Sequence, residues 1–212
     1  MRIAIPLFDR LTALDAVGPY EVLQRMPGVV VSFVGHRTGE VRTDNGWLGL
    51  SVDYTFDQLP DPDVVIVPGG IGTRTLTAAN GDPLVKWLAQ AHRNTRFTTA
   101  LASGTFLLNE AGIVDGLATA WASGVSGELA RRGAASPKKT RIVEHLKHRL
   151  ITADGVTAGV DLAQRLAELL IDDIANEAMS GMERQTAQWR LDLDALESVD
   201  AVPRLLQYLS ED

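Results

Sequence analysis

No cysteine occurs among the 212 residues. That excludes a disulfide, a zinc–thiolate site and a thiol nucleophile. No apolar run approaches the roughly 18 residues of a membrane span. The opening MRIAIPLF is too short, and turns polar too quickly, to be a signal peptide, so a cytoplasmic location is expected. Basic blocks are also missing. Lys and Arg number 20 against 27 Asp and Glu, a formal net charge of −7 at pH 7. Such a chain is a poor nucleic-acid binder and lacks the polybasic segment that would hold it on an anionic membrane. There is no P-loop and no six-residue glycine fingerprint for a dinucleotide. The four histidines, His36, His92, His145 and His148, show no metal-ligand spacing. Neither a cofactor nor a metal is expected, and no repeat or low-complexity linker breaks the chain.

What is present is ordinary in amount and informative in order. Apolar residues make up 45% and charged residues 22%, enough for one large α/β domain with a sizeable core. RIAIPLF reads as a buried strand and GVVVSFVG (28–35) as a second. Between them Asp15 precedes AVGPYEVLQRM, where Pro19 suits a first helical turn. Asn45-Gly46 sits between two strand-like pieces, a strong hairpin signal. DVVIVPGGIGTR is a strand ending in a Pro-Gly-Gly turn, and DPLVKWLAQAHRN is an amphipathic helix.

RFTTALA is the next strand, with SGTFLLNEAG a short helix after it. VSGELARRG reads as a helix stopped by Gly133. RIVEHLKHRLITA reads as two strands around a Lys-His turn. GVDLAQRLAELLIDDIANEAM is a clear helix, and from about residue 183 a more polar helical tail follows. Strands alternating with helices predict a parallel sheet covered by helices on both faces. Ligands of such sheets bind outside the carboxyl ends of the strands. Asp15, Gly69-Gly70 and Ala102-Ser103 all fall at such ends.

Four of these segments, in this order, resemble the DJ-1/PfpI superfamily, most closely its isocyanide-hydratase-like branch. They are LFDRLTALDAVGPYEVL, DVVIVPGGIGTR, TTALASGTFLLNEAGIVDG and RLITADGVTAGVDLAQRLAELL. The resemblance covers about Ile3 to Asp173. It implies a flavodoxin-like α/β sandwich, related to class I glutamine amidotransferases, in a single domain over 1–212 with the helical tail appended. It also implies a homodimer acting on a small molecule without a cofactor. In that branch an elbow cysteine attacks the isocyanide carbon. The thioimidate then takes up water and leaves as an N-formamide.

Carried over by position, Asp15 matches the carboxylate that contacts the cysteine. Ser103 matches the residue after the cysteine, and Gly70 and Ile71 match a loop whose N–H groups face the site. Ala102 stands where the cysteine belongs. The segment LATAWAS is about one residue shorter than the branch pattern and lacks its histidine. Trp121 is placed to fill that position.

Each of these residues also has a plain structural reading. Ala102 is a small residue at a tight turn, an engineered Cys→Ala change, or a natural loss of the thiol, and the altered LATAWAS segment points to divergence. Asp15 is an N-cap for the helix at Pro19, or a carboxyl in a partly dry pocket suited to acid–base work. Gly69, Gly70 and Ile71 form a simple turn, or offer backbone donors to a ligand. Ser103 caps the helix or hydrogen-bonds a ligand. Trp47 and Trp121 are core residues or pocket walls.

The leading expectation is a hydratase or lyase with catalytic positions Asp15, Ala102 and Ser103 and a substrate contact surface from Gly69, Gly70, Ile71 and Trp121. The alternatives are a cysteine-less ligand-binding or sensor domain and a non-covalent enzyme using Asp15. A peptidase or deglycase ranks last because it needs the thiol. The acidic segment after about 183 has no basic recognition helix, which counts against a regulator.

Overall fold

A computed structural model describes residues 1–78, 81–120, 140–155 and 157–181, with side chains described to residue 172. The chain forms two compact units, Met1–Leu169 and Leu170–Asp212. The sheet and the site described below belong to the first. The sequence-predicted helix in VSGELARRG, Trp121 and the tail from about 183 lie outside the described residues.

The first unit is built on a seven-stranded sheet. Its strands in chain order are β1 Arg2–Pro6, β2 Val30–Gly35, β5 Tyr54–Thr55, β6 Val64–Val67, β7 Phe97–Leu101, β8 Ile142–His145 and β9 Leu150–Ala153. Their spatial order is β5-β2-β1-β6-β7-β9-β8. All neighbouring pairs are parallel except β8 with β9. β3 Gly39–Arg42 and β4 Gly49–Val52 form a separate antiparallel hairpin across the Asn45-Gly46 turn, as the sequence predicts. Gly46 closes it at φ 77°, and its N–H reaches the Thr43 carbonyl at 2.8 Å.

The central strands are buried at every position: Val64–Val67, Phe97–Leu101 and Leu150–Ala153 leave no residue exposed. Successive side chains point to opposite faces, so both faces of the sheet are covered. This is the flavodoxin-like arrangement expected from the sequence. The helices are α1 Ala13–Leu23, α2 Gly72–Ala78, α3 Pro83–Ala91, α4 Thr105–Glu110 and α5 Ala158–Gly181. β2 is less buried than its β-branched run implies. Val30 is 60% exposed, because only the two-residue β5 lies outside it.

α1 differs from the sequence expectation in a way that matters for the site. It starts at Ala13, six residues before Pro19, with Thr12 at its N-cap. Asp15 is therefore not the cap but part of the first helical turn. Pro19 lies inside the helix and has no N–H, so the Asp15 carbonyl lacks the donor that an ordinary residue four places on would supply.

Candidate active site

β1, β6 and β7 are neighbours in the sheet, so the three segments leaving their carboxyl ends converge. The first leads to α1 and Asp15. The second is the loop Pro68-Gly69-Gly70-Ile71. The third is a 3-10 turn, Ala102–Gly104, running into α4. Together they line a pocket of about 240 Å³ with Thr12, Asp15, Asp44, Gly70, Ile71, Thr73, Arg74, Ala102, Ser103 and Phe106 on its walls.

The elbow has an unusual backbone for its residue. Ala102 sits at φ 44°, in the left-handed region, which costs an L-residue with a Cβ about 1–2 kcal/mol. The strain persists because the surrounding chain determines it. A Cβ on Gly104 would lie 2.5 Å from the Val67 carbonyl oxygen and 2.6 Å from that of Pro68. Only glycine lets the elbow lie this close to β6. The turn thus has a nucleophile-elbow shape with a methyl group at its apex.

Asp15, on α1, lines the same pocket as this apex and is 0% exposed. Its Oδ2 accepts a hydrogen bond from the Gly69 N–H at 2.9 Å. Its Oδ1 is buried without a partner. Burial pushes the carboxyl up from 3.8 to about 6; the Gly69 N–H opposes the rise and the nearby Asp44 adds to it. A carboxyl with a free buried oxygen and a pKa near 6 is equipped to pass a proton to or from a bound molecule.

The glycine loop is not a bare set of donors. Its three successive N–H groups are all engaged: Gly69 to Asp15 Oδ2, Gly70 to Ser103 Oγ at 2.9 Å, and Ile71 to Asp44 Oδ1 at 3.1 Å. They hold three side chains from three parts of the chain. Gly70 has φ 136°, and a Cβ there would lie 2.5 Å from the Arg10 carbonyl oxygen. The same close approach lets the Thr12 N–H reach the Gly69 carbonyl at 2.9 Å and the Gly72 N–H reach the Arg10 carbonyl at 3.1 Å.

Ser103 does not cap α4. Its Oγ accepts from the Gly70 N–H and donates to the Gly70 carbonyl at 3.1 Å, which locks the elbow to the loop. The cap position is Gly104, with no side-chain hydrogen bond. Trp47 is neither core nor pocket wall: it lies on the hairpin, 87% exposed.

Sequence reasoning missed Asp44. It precedes the Asn45-Gly46 turn and reads there as a turn residue. In the structure its Oδ2 accepts from Thr12 Oγ1 at 2.7 Å and its Oδ1 from the Ile71 N–H. Its own N–H reaches the Leu11 carbonyl at 2.9 Å. Arg74, exposed on α2, brings a positive charge to the same pocket. Among the described residues no group of three His, Cys, Asp or Glu side chains could hold a metal ion, and no helix is long and apolar enough to cross a membrane.

Known proteins share this fold. The sequence model of the DJ-1/PfpI family matches residues 1–169. An isonitrile hydratase of Pseudomonas putida is 32% identical over 173 residues, which is 81% of this chain and 72% of that protein. The crystal structure of a ThiJ/PfpI family protein from Pseudomonas syringae superposes with a TM-score of 0.72 at 24% identity, over 97% of this chain and 86% of that one. An AraC family transcriptional regulator from Pseudomonas putida superposes with a TM-score of 0.66 at 17% identity, over 80% of this chain and 91% of that one. At these identities the two structures speak for the fold alone.

Proposed function

This chain belongs to the DJ-1/PfpI family, and we propose that it is a small-molecule hydratase that works without a covalent intermediate. The observation that carries the reading is the Asp15 carboxyl, buried, with one unpartnered oxygen, beside an elbow that presents Ala102. An isocyanide is the substrate class suggested by the similarity to an isonitrile hydratase. With no thiol at the elbow the thioimidate route is closed. Protonation of the isocyanide carbon, followed by addition of water, needs only an acid and a bound water.

Protonated Asp15 is the acid in this reading. Its proton moves to the isocyanide carbon and forms a C–H bond. The carbon becomes electrophilic and water adds to it, while a π pair withdraws onto nitrogen. Loss of one water proton gives a formimidic acid, and a proton shift from oxygen to nitrogen gives the N-formamide. The pocket walls are apolar at Ala102 and Phe106.

Carbon-13 NMR of a simple alkyl isocyanide with the purified protein tests this. The expected outcome is conversion to the formamide, slowed about 10²–10⁴-fold in Asp15→Asn. The rate should be highest below about pH 6, where Asp15 holds its proton, and fall as it ionises above. The second reading, a ligand-binding domain, is favoured by the methyl group at the elbow. Saturable binding of the isocyanide with no formamide would establish that reading and overturn the hydratase. Equal turnover by the wild-type and Asp15→Asn proteins would remove Asp15 from the mechanism.

A further inference from the structure

The pocket contains a second carboxyl group that the elbow, the glycine loop and the family pattern do not explain. Asp44 comes from the hairpin, far in sequence from both the elbow and α1. It nevertheless lines the same pocket as Asp15 and Ala102. Three hydrogen bonds hold it: Thr12 Oγ1 and the Ile71 N–H on its two oxygens, and its own N–H on the Leu11 carbonyl. A parallel bridge between Leu11 and Thr43 fastens the chain just before it. Each carboxylate oxygen accepts one of these bonds and retains a lone pair.

The two carboxyl groups therefore sit in contrasting environments on one loop. Gly69 and Ile71, two residues apart, each donate an N–H to one of them. Asp15 is fully enclosed with an unpartnered oxygen, whereas Asp44 is half-buried and held by two donors. Two carboxyl groups whose surroundings separate them in this way divide acid and base roles between them.

We propose that Asp44 is the base of a carboxyl pair: it takes the proton from the water that adds to the substrate, while Asp15 supplies the proton that bonds to carbon. The inference rests on the hydratase reading. In the step, the water oxygen bonds to the isocyanide carbon and the Asp15 O–H bond breaks as the C–H bond forms. One water O–H bond breaks, with its proton going to Asp44. The cycle closes when the Asp44 proton returns to Asp15 through solvent in the emptied pocket. Proton count and charge balance over the cycle, and no oxidant or reductant is needed. The charged residues lining the pocket are Asp15, Asp44 and, from α2, Arg74.

Asp44→Asn preserves shape: its amide oxygen can still accept from the Ile71 N–H, and its NH2 can donate to the Thr12 hydroxyl, which then accepts, so it separates charge from structure. Two measurements test the pair. In the first, carbon-13-labelled aspartate carboxyls are titrated by NMR without substrate. Removing an anion from beside Asp15 should move its midpoint downward from about 6. An unmoved midpoint would show that the two groups do not share a site, whatever the substrate is. In the second, the isocyanide hydration rate is measured for Asp44→Asn and Asp44→Ala. The expected result is a kcat lowered about 10²–10⁴-fold with KM nearly unchanged. Added formate should restore part of the Asp44→Ala rate. Unchanged kcat in Asp44→Asn, or no rescue by formate, would overturn the base role. A moved midpoint in a protein that hydrates no isocyanide would leave the pair intact and refute only the hydratase reading.

Discussion

At the scale of single residues, the site is a set of local costs held in place by neighbours. Ala102 carries a left-handed backbone, and Asp15 carries a buried, half-satisfied carboxyl. The Asp15 cost makes stability depend on pH. Its pKa is raised from 3.8 to about 6 on folding. Between those values the folded chain binds more protons than the unfolded one, so this group's contribution favours folding at low pH and is lost as pH rises from about 4 to 6. Asp15→Asn removes the ionisation and keeps an acceptor for the Gly69 N–H. It should stabilise the fold at pH 7 by on the order of 2–3 kcal/mol, at 1.36 kcal/mol per unit, with the gain vanishing near pH 4. Thermal melts of both proteins across this range measure it. An equal Tm difference at pH 4 and pH 7 would show that Asp15 is not strained by charge. A gain in stability that accompanies a loss of activity is the usual exchange at a functional site.

At the scale of elements, the termini of helices divide into two kinds. α3 is closed in the ordinary way. Asp82 is its N-cap, accepting from the Leu84 N–H at 2.8 Å, with Pro83 at the first position and Trp87 buried below, its Nε1–H on the Leu59 carbonyl at 2.9 Å. α1 and α4 start without a side-chain cap, and both starts border the pocket. Thr12, the natural cap of α1, spends its hydroxyl on Asp44 instead. Stability and function are thus assigned to different helix ends. Asp82→Ala should cost about 1 kcal/mol, seen as a lower midpoint in urea, while the kinetics of the site stay unchanged. A change in kcat without a change in stability would contradict this division.

At the scale of the whole molecule, the sheet order decides which loops meet, and the surface bears on association. Val30 at 60%, Tyr54 at 47%, Trp47 at 87% and Leu48 at 48% exposure are apolar or aromatic groups facing solvent on β2, β5 and the hairpin. β5, at the end of the sheet, is two residues long. We propose a homodimer, as the family resemblance implies, and these exposed groups as candidates for its interface. A stable interface of this kind buries more than about 2,000 Å² in total. Light scattering at micromolar concentration should report twice the chain mass of 22.9 kDa. A mass of 22.9 kDa would sink the dimer.

Much of this architecture was legible in the order of residues, for local reasons. Continuous β-branched runs, Asp-Pro and Asn-Gly pairs and glycine-closed turns specify strands, α3, the hairpin and the elbow through contacts a few residues long. The positions of Asp15 and Ala102 at strand ends follow from the same patterns, and the missing thiol is visible at once. Tertiary structure alone decided the rest. α1 starts at Ala13 because Thr12 and Asp15 are held by the hairpin and the glycine loop, an influence that outweighs the local preference of Pro19 for a first turn. The loop's N–H groups, which look free in sequence, are taken by side chains 54, 33 and 27 residues away. Asp44 reads locally as a turn residue and becomes part of the site only when the Leu11–Thr43 bridge brings the hairpin onto the end of β1. Burial, which raises the Asp15 pKa, is a property of everything packed around a group, so no short stretch of sequence contains it.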